Sequence, residues 1–193
     1  MKRLAVYCGS ASPINPVYVE AARSVGEALA TRGIGLVYGG GRLGLMGAVA
    51  DAALACGGEV IGIIPQALVD AEVAHHGCTE LRVVSGMHER KALFTDLSDG
   101  FITLPGGVGT MDELWEAISW AQLGYHEKPV GLLNVAGYYD GLIAFNAHMI
   151  DVGFIRAHHS GIMIAERDLG KLLDRMAAYR PHDTIFRMTA AQL

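Results

Sequence analysis

Short apolar runs alternate with longer amphipathic stretches along almost the whole chain. Leu4–Cys8, Ile34–Tyr38, Val60–Ile64, Leu81–Val84, Phe101–Leu104 and Val130–Leu133 read as strands. Between them, apolar positions recur with helical spacing. Pro16 opens a helix that runs to about Arg32, with Gly33 as its stop signal. Further helices are expected over about Leu45–Cys56, closed by Gly57-Gly58, and over Met87–Leu97, Met111–Leu123, Tyr139–Val152 and Leu169–Tyr179. The stretch from Gln66 to Thr79 reads as irregular, Ile162–Ala165 as a short apolar run, and the residues after Pro181 as a tail. Strands apolar on both faces, each followed by a helix, predict an α/β fold: a doubly wound parallel sheet with helices on both faces. One domain over residues 1–180 with a tail over 181–193 accounts for the pattern.

Composition narrows the class. The chain has 193 residues, 51% of them hydrophobic and 18% charged, which suits a globular domain with a sizeable core. The formal net charge is −5 and the cations are scattered, so nothing suggests a nucleic-acid partner. The apolar run near the N-terminus is too short for a signal peptide or a membrane span. Three separated cysteines, Cys8, Cys56 and Cys78, read as reduced thiols of a cytoplasmic protein.

Much of the glycine falls in two clusters that follow strands, where ligands of doubly wound sheets bind. Pro105-Gly106-Gly107-Val108-Gly109-Thr110-Met111-Asp112-Glu113 joins a strand to a helix. Glycines admit close backbone approach, and a helix tip offers unpaired N–H groups and partial positive charge, which together suit a phosphate. The lack of a Gly-Lys-Ser/Thr ending excludes a nucleoside-triphosphate P-loop. Thr110-x-x-Glu113 is equally a capping box, which would make the segment a helix start and nothing more. The second cluster, Gly39-Gly40-Gly41-Arg42-Leu43-Gly44-Leu45-Met46-Gly47, contains G-x-G-x-x-G, but no acidic residue ends the next strand, which argues against a dinucleotide site. A mononucleotide phosphate or ribose contact through Gly40 and Gly41 fits better, with tight helix–sheet packing as the alternative.

Other features carry less. Met87-His88-Glu89-Arg90-Lys91 puts two cations at the start of a helix, where the dipole disfavours them; they serve either an anionic substrate or the solvent. Ser10, after the first strand, can touch a ligand or cap a turn. His75-His76 and His158-His159 lack metal-ligand spacing and read as exposed loop residues. Tyr7, Trp115 and Trp120 read as packing residues.

Taken together, Gly39-Gly-Gly-x-x-Gly-Leu-Met-Gly47, Met87-His-x-Arg-Lys91, Pro105-Gly-Gly-x-Gly-Thr-x-x-Glu113, Trp120-Ala-Gln-Leu-Gly124 and Lys128-Pro-Val-Gly-Leu-Leu-Asn134 resemble the LOG family. These are the cytokinin riboside 5′-monophosphate phosphoribohydrolases, long labelled lysine decarboxylases. The resemblance runs from about Leu4 to Tyr179. It implies a Rossmann-like homodimer that cleaves a cytokinin nucleotide, and often AMP, into free base and ribose 5-phosphate. It further implies Arg90 and Glu113 as the catalytic pair, phosphate binding by Gly106, Gly107, Gly109 and Thr110, and substrate contacts from Glu72, Lys91 and Ser119, the last where a threonine is expected. Glu116, one turn beyond Glu113, is a candidate second carboxylate. The chemistry needs no metal or redox cofactor. A pyridoxal-phosphate decarboxylase needs a Schiff-base lysine, and of Lys2, Lys91, Lys128 and Lys171 only Lys91 falls near the expected site. The alternative from another class is a non-catalytic carrier of molybdenum cofactor or a nucleotide, since such carriers share a glycine-rich phosphate loop.

Overall fold

The computed structural model describes residues 1–71 and 73–185. Its strands are β1 (Arg3–Tyr7), β2 (Gly35–Tyr38), β3 (Val60–Pro65), β4 (Glu80–Val84), β5 (Phe101–Thr103), β6 (Val130–Leu133) and β7 (Met163–Glu166). They form one parallel sheet in the order β4-β3-β2-β1-β5-β6-β7. The helices are α1 (Val17–Thr31), α2 (Gly44–Ala55), α3 (Gln66–Asp70), α4 (Met87–Leu97), α5 (Val108–Leu123), α6 (Asp140–Asp151) and α7 (Leu169–Ala177).

Side chains of a strand alternate between the sheet's faces, and β1 shows the consequence. Leu4 and Val6 join a core built with α1, α2 and α7. Ala5 and Tyr7 join a second core with Phe94 of α4, Leu114 of α5 and Tyr139 before α6. Both faces are dry, which is why β1 to β3 read as unbroken apolar runs. The chain leaves β1 towards β2, β3 and β4, then returns across the sheet to β5. Strand order therefore reverses between β1 and β5, and their C-terminal ends diverge there into a crevice.

The expected elements are present, with differences that have local causes. The stretch expected to be irregular contains α3, and Ala74 beyond it pairs with Gly41 in an isolated antiparallel bridge. The run near Ile162 is an edge strand, β7, paired to β6. Helix α5 starts at Val108, well before Met111, because Gly107 already has the extended backbone of an N-cap. The predicted capping box does not form, since α5 has no side-chain cap and Thr110 lies inside its first turn. Within the expected tail, residues 181–185 pack back on the domain: the Ile185 N–H donates to Gln122 O at 2.8 Å. The rest of that tail lies outside the described residues.

Candidate active site

A cavity of about 690 Å³ occupies the crevice, a size typical of small-molecule sites. Its floor is the segment that follows β1 (Cys8-Gly9-Ser10) and its opposite walls are the turns after β2 and β5. Arg90 and Glu113 both reach it, from α4 and α5.

Arg90 is 7% exposed, an unusual state for a guanidinium. Its Nε donates to Ile63 O and its Nη2 to Gly39 O, each at 3.1 Å. The ring of Phe94 lies 5.5 Å from its Cζ. Burial pulls the guanidinium's pKa down, opposed by the charge of Glu113. The Nη1 is left facing Glu113 Oε1 at 3.9 Å. That separation is too long for a hydrogen bond but close enough to couple the charges. Backbone carbonyls thus anchor the arginine, and its Nη1, which donates to Met87 Sδ at 3.8 Å, also faces the carboxylate.

Glu113 is 12% exposed through its side chain. Burial pushes its pKa up to about 7, and Arg90 opposes the rise without cancelling it. A carboxyl held near neutrality can exchange a proton with water or substrate at physiological pH.

The turn between β5 and α5 is shaped for close approach. A Cβ on Gly106 would fall 2.1 Å from Thr110 Oγ1 and 2.8 Å from Gly9 N. Thr110, 4% exposed, fills that space with its hydroxyl. This explains why it does not cap the helix. Gly107 and Gly109 differ: a Cβ there meets nothing within 4 Å, so their backbone faces open cavity.

The expected site residues therefore divide. Ser10, Gly41, Arg90, Gly106, Gly107, Gly109, Thr110 and Glu113 are brought together around the cavity. Gly40 is adjacent but does not line it; its left-handed backbone (φ +72°) presses against Ile63 and Ile64. Lys91 points elsewhere, with Nζ 2.8 Å from both Asp112 Oδ2 and Glu116 Oε2. Consecutive residues of a helix diverge by about 100°, so Arg90 and Lys91 cannot share one target. Glu116 is accordingly a partner of Lys91 and does not line the cavity, and Ser119 is exposed further along α5. Glu72 lies outside the described residues.

Two histidines expected in exposed loops are not exposed. His75 Nε2 is 2.9 Å from Asp51 Oδ1 with a side chain 12% exposed, and His159 is 2% exposed. Sequence reasoning also passed over Tyr138, Tyr18 and Met46, all of which line the cavity. A usable signal existed for Tyr138. It follows β6 in a turn at the same end of the sheet, where every strand end is a candidate wall.

Comparison with known proteins adds an independent line. A family model described as "Possible lysine decarboxylase" matches residues 46–176. The chain is 47% identical over 180 residues to the cytokinin riboside 5′-monophosphate phosphoribohydrolase LOG5 of Arabidopsis thaliana, covering 93% of this chain and 79% of that protein. It is 48% identical over 180 residues to the phosphoribohydrolase LOG of Oryza sativa subsp. japonica, covering 93% and 74%. Among solved structures, the molybdenum cofactor binding protein of Rippkaea orientalis matches with a TM-score of 0.69 at 19% identity, over 91% of this chain and 95% of that one. At that identity the likeness shows the fold alone.

Proposed function

This chain belongs to the LOG family, and from that premise we propose that it hydrolyses the N-glycosidic bond of cytokinin riboside 5′-monophosphates and AMP, releasing free base and ribose 5-phosphate. The observation that carries the reading is the pairing of a buried, carbonyl-anchored Arg90 with a neutral-range carboxyl at Glu113, beside glycine backbone open to the cavity.

On this reading the phosphate lies at the N-terminus of α5, where the N–H groups of the first helical turn have no intrahelical acceptors. Gripping the phosphate places the anomeric carbon deeper in the cavity, at Arg90 and Glu113, and supplies binding energy remote from the reacting bond. As the C–N bond breaks, positive charge develops on the ribose ring. The ionised Glu113 stabilises that charge and takes a proton from the attacking water, whose oxygen bonds to C1′. The bonding pair leaves with the base, which takes a proton from solvent, while Glu113 returns the proton of the attacking water to solvent. Arg90 orients Glu113 and the ribose hydroxyls. Gly41 and Ser10 complete the wall around the sugar. Lys91, Glu116 and Ser119 contribute to substrate binding only if loop or subunit rearrangement brings them to the cavity, and Glu72 is proposed as a substrate contact on the family resemblance alone.

The decarboxylase description fits less well. Among the described residues no lysine lines the cavity, and Lys91 is held by two carboxylates outside it. The homodimer implied by the family likeness and the cytoplasmic location read from the separated cysteines are part of this proposal.

The test is chromatographic base release by purified protein from AMP, N6-isopentenyladenosine 5′-monophosphate and the corresponding nucleosides. Base is expected from the monophosphates and not from the nucleosides. No base from any of them would end the reading.

A further inference from the structure

Each carbonyl of the β5–α5 turn is held by a donor. Leu104 O accepts from the Tyr139 hydroxyl at 2.7 Å. Pro105 O accepts from the Gly9 N–H at 3.1 Å. Gly106 O accepts from the Tyr138 hydroxyl at 2.6 Å. Gly107 O accepts from the Met111 N–H at 3.1 Å as α5 begins. A carbonyl oxygen turned towards a bound phosphate would repel it. Because a trans peptide points its N–H opposite to its C=O, fixing these oxygens also fixes the direction of the amides that follow them.

Two of the four donors come from one turn. After β6, the turn Val135–Gly137 carries Ala136 in the left-handed region (φ 50°, ψ 28°), followed by Gly137 at φ 75°. Ala136 is the sole non-glycine with positive φ among the described residues. An alanine there costs of the order of 1–2 kcal/mol, so the surroundings must hold it. Asn134 does so on one side, with Oδ1 accepting from the Tyr139 N–H at 2.8 Å and Nδ2 donating to Asp140 Oδ1 at 2.7 Å. The result is two consecutive tyrosines whose hydroxyls reach carbonyls two residues apart. Tyr139 is buried and belongs to the core. Tyr138 is 46% exposed, lines the cavity and stands edge-on to Tyr18 of α1 with ring centroids 5.7 Å apart.

We infer that Tyr138 is a positioning residue for the reaction. Its hydroxyl clasps Gly106 O and so keeps the following amide turned towards the substrate's phosphate. The inference rests on the proposal that this cavity takes a nucleoside 5′-monophosphate. Because Tyr138 acts through the loop, its loss weakens phosphate binding without touching the reacting bond. A solvent-exposed phenol at this position has no folding need for its hydroxyl.

Tyr138→Phe removes the oxygen and keeps the ring against Tyr18. The expected result is a fall of about fivefold or more in affinity for ribose 5-phosphate by calorimetry, from the loss of one hydrogen bond at the loop. The KM for AMP rises by a similar factor, kcat changes by less than about twofold, and inhibition by free adenine is unchanged. Tyr125→Phe, which removes a phenol outside the cavity lining, leaves all of these alone. Wild-type affinity for ribose 5-phosphate in Tyr138→Phe overturns the inference, as does an equal loss for adenine, which would mean general loosening. If Tyr138→Phe is normal and Tyr138→Leu is not, the ring contacts the ligand and the clasp is idle. Should wild-type protein bind ribose 5-phosphate yet release no base, the proposed activity falls and the binding arm still decides the role of Tyr138. Should it release base yet bind no ribose 5-phosphate, the inference about Tyr138 falls and the activity stands.

Discussion

An added methyl at Gly39 would lie 2.2 Å from Arg90 Nη2, whereas one at Gly107 or Gly109 would meet nothing within 4 Å. The two glycine clusters follow strands on either side of the switch point and look interchangeable in sequence. In the first, the missing side chains make room for the protein's own atoms. Gly39 admits the guanidinium, Gly40 passes Ile63 and Ile64, Gly44 lies against Ser10 and Ala11, and Gly47 against Arg42. In the second, Gly106 makes room for Thr110, but the next two glycines face open space. The comparison teaches that one cluster sets the position of the Arg90 guanidinium and the other leaves its backbone open to the cavity. A glycine pattern alone cannot tell these apart, because both require the absence of a Cβ.

The sharpest way to break the comparison is at the two side chains that the clusters serve. Arg90→Ala and Glu113→Gln should each lower kcat/KM for AMP by about a hundredfold or more, the usual scale for a lost acid–base group. Wild-type kcat/KM should rise with pH and level off above about 7, as Glu113 ionises. The stability consequence has the opposite sign. The carboxyl's pKa goes from 4.5 in the unfolded chain to about 7 in the folded one. Its favourable contribution is therefore complete below pH 4.5 and is lost as pH rises through 7, a swing of up to about 3 kcal/mol. Urea titrations across that window should show this slope in wild type and a flatter profile in Glu113→Gln. Equal slopes would mean that Glu113 is not buried as described.

Next in size is Gly39→Ala. The new Cβ competes with the guanidinium for one space, so it should cost about 1–3 kcal/mol and most of the activity. In an Arg90→Ala background the same substitution should cost much less, because the main obstacle is gone. A double-mutant cycle on chemical denaturation measures that coupling. Additive effects would show that Gly39 is not there for Arg90.

Much of the fold was legible because β1, β2, β3 and β6 are buried on both faces and their apolar runs had no competing reading. The misses have physical causes. The five residues of α3 bury no side chain fully, so no periodic stripe marks them. Edge strand β7 alternates too briefly to stand out. In the site, Arg90 and Glu113 were singled out by the family resemblance, but the divergence of Lys91 from Arg90 depends on helix rotation that motif reading ignores. Thr110-x-x-Glu113 satisfied the capping-box pattern, yet the space beside Gly106 took the hydroxyl and the cavity took the carboxyl. Tyr138 was passed over because its one signal, a place in the turn after β6, gains meaning only when the ends of β1, β5 and β6 are brought together at the cavity.

The smallest expected effect is also the most discriminating. Gly109 is the second residue of α5, and nothing occupies the space beyond its Cα. Alanine is favoured over glycine in a helix by up to about 1 kcal/mol, so Gly109→Ala should raise the melting temperature slightly. The same methyl projects into the cavity beside the helix tip, where it crowds a bound phosphate, so the KM for AMP should rise severalfold with little change in kcat. Stability and affinity then move in opposite directions from one methyl group, which neither a packing glycine nor a mere helix start predicts. A melting temperature that falls would put Gly109 in the same class as Gly39. A raised melting temperature with an unchanged KM would mean that the tip of α5 does not meet the substrate, and the contrast between the two clusters would lose its functional half.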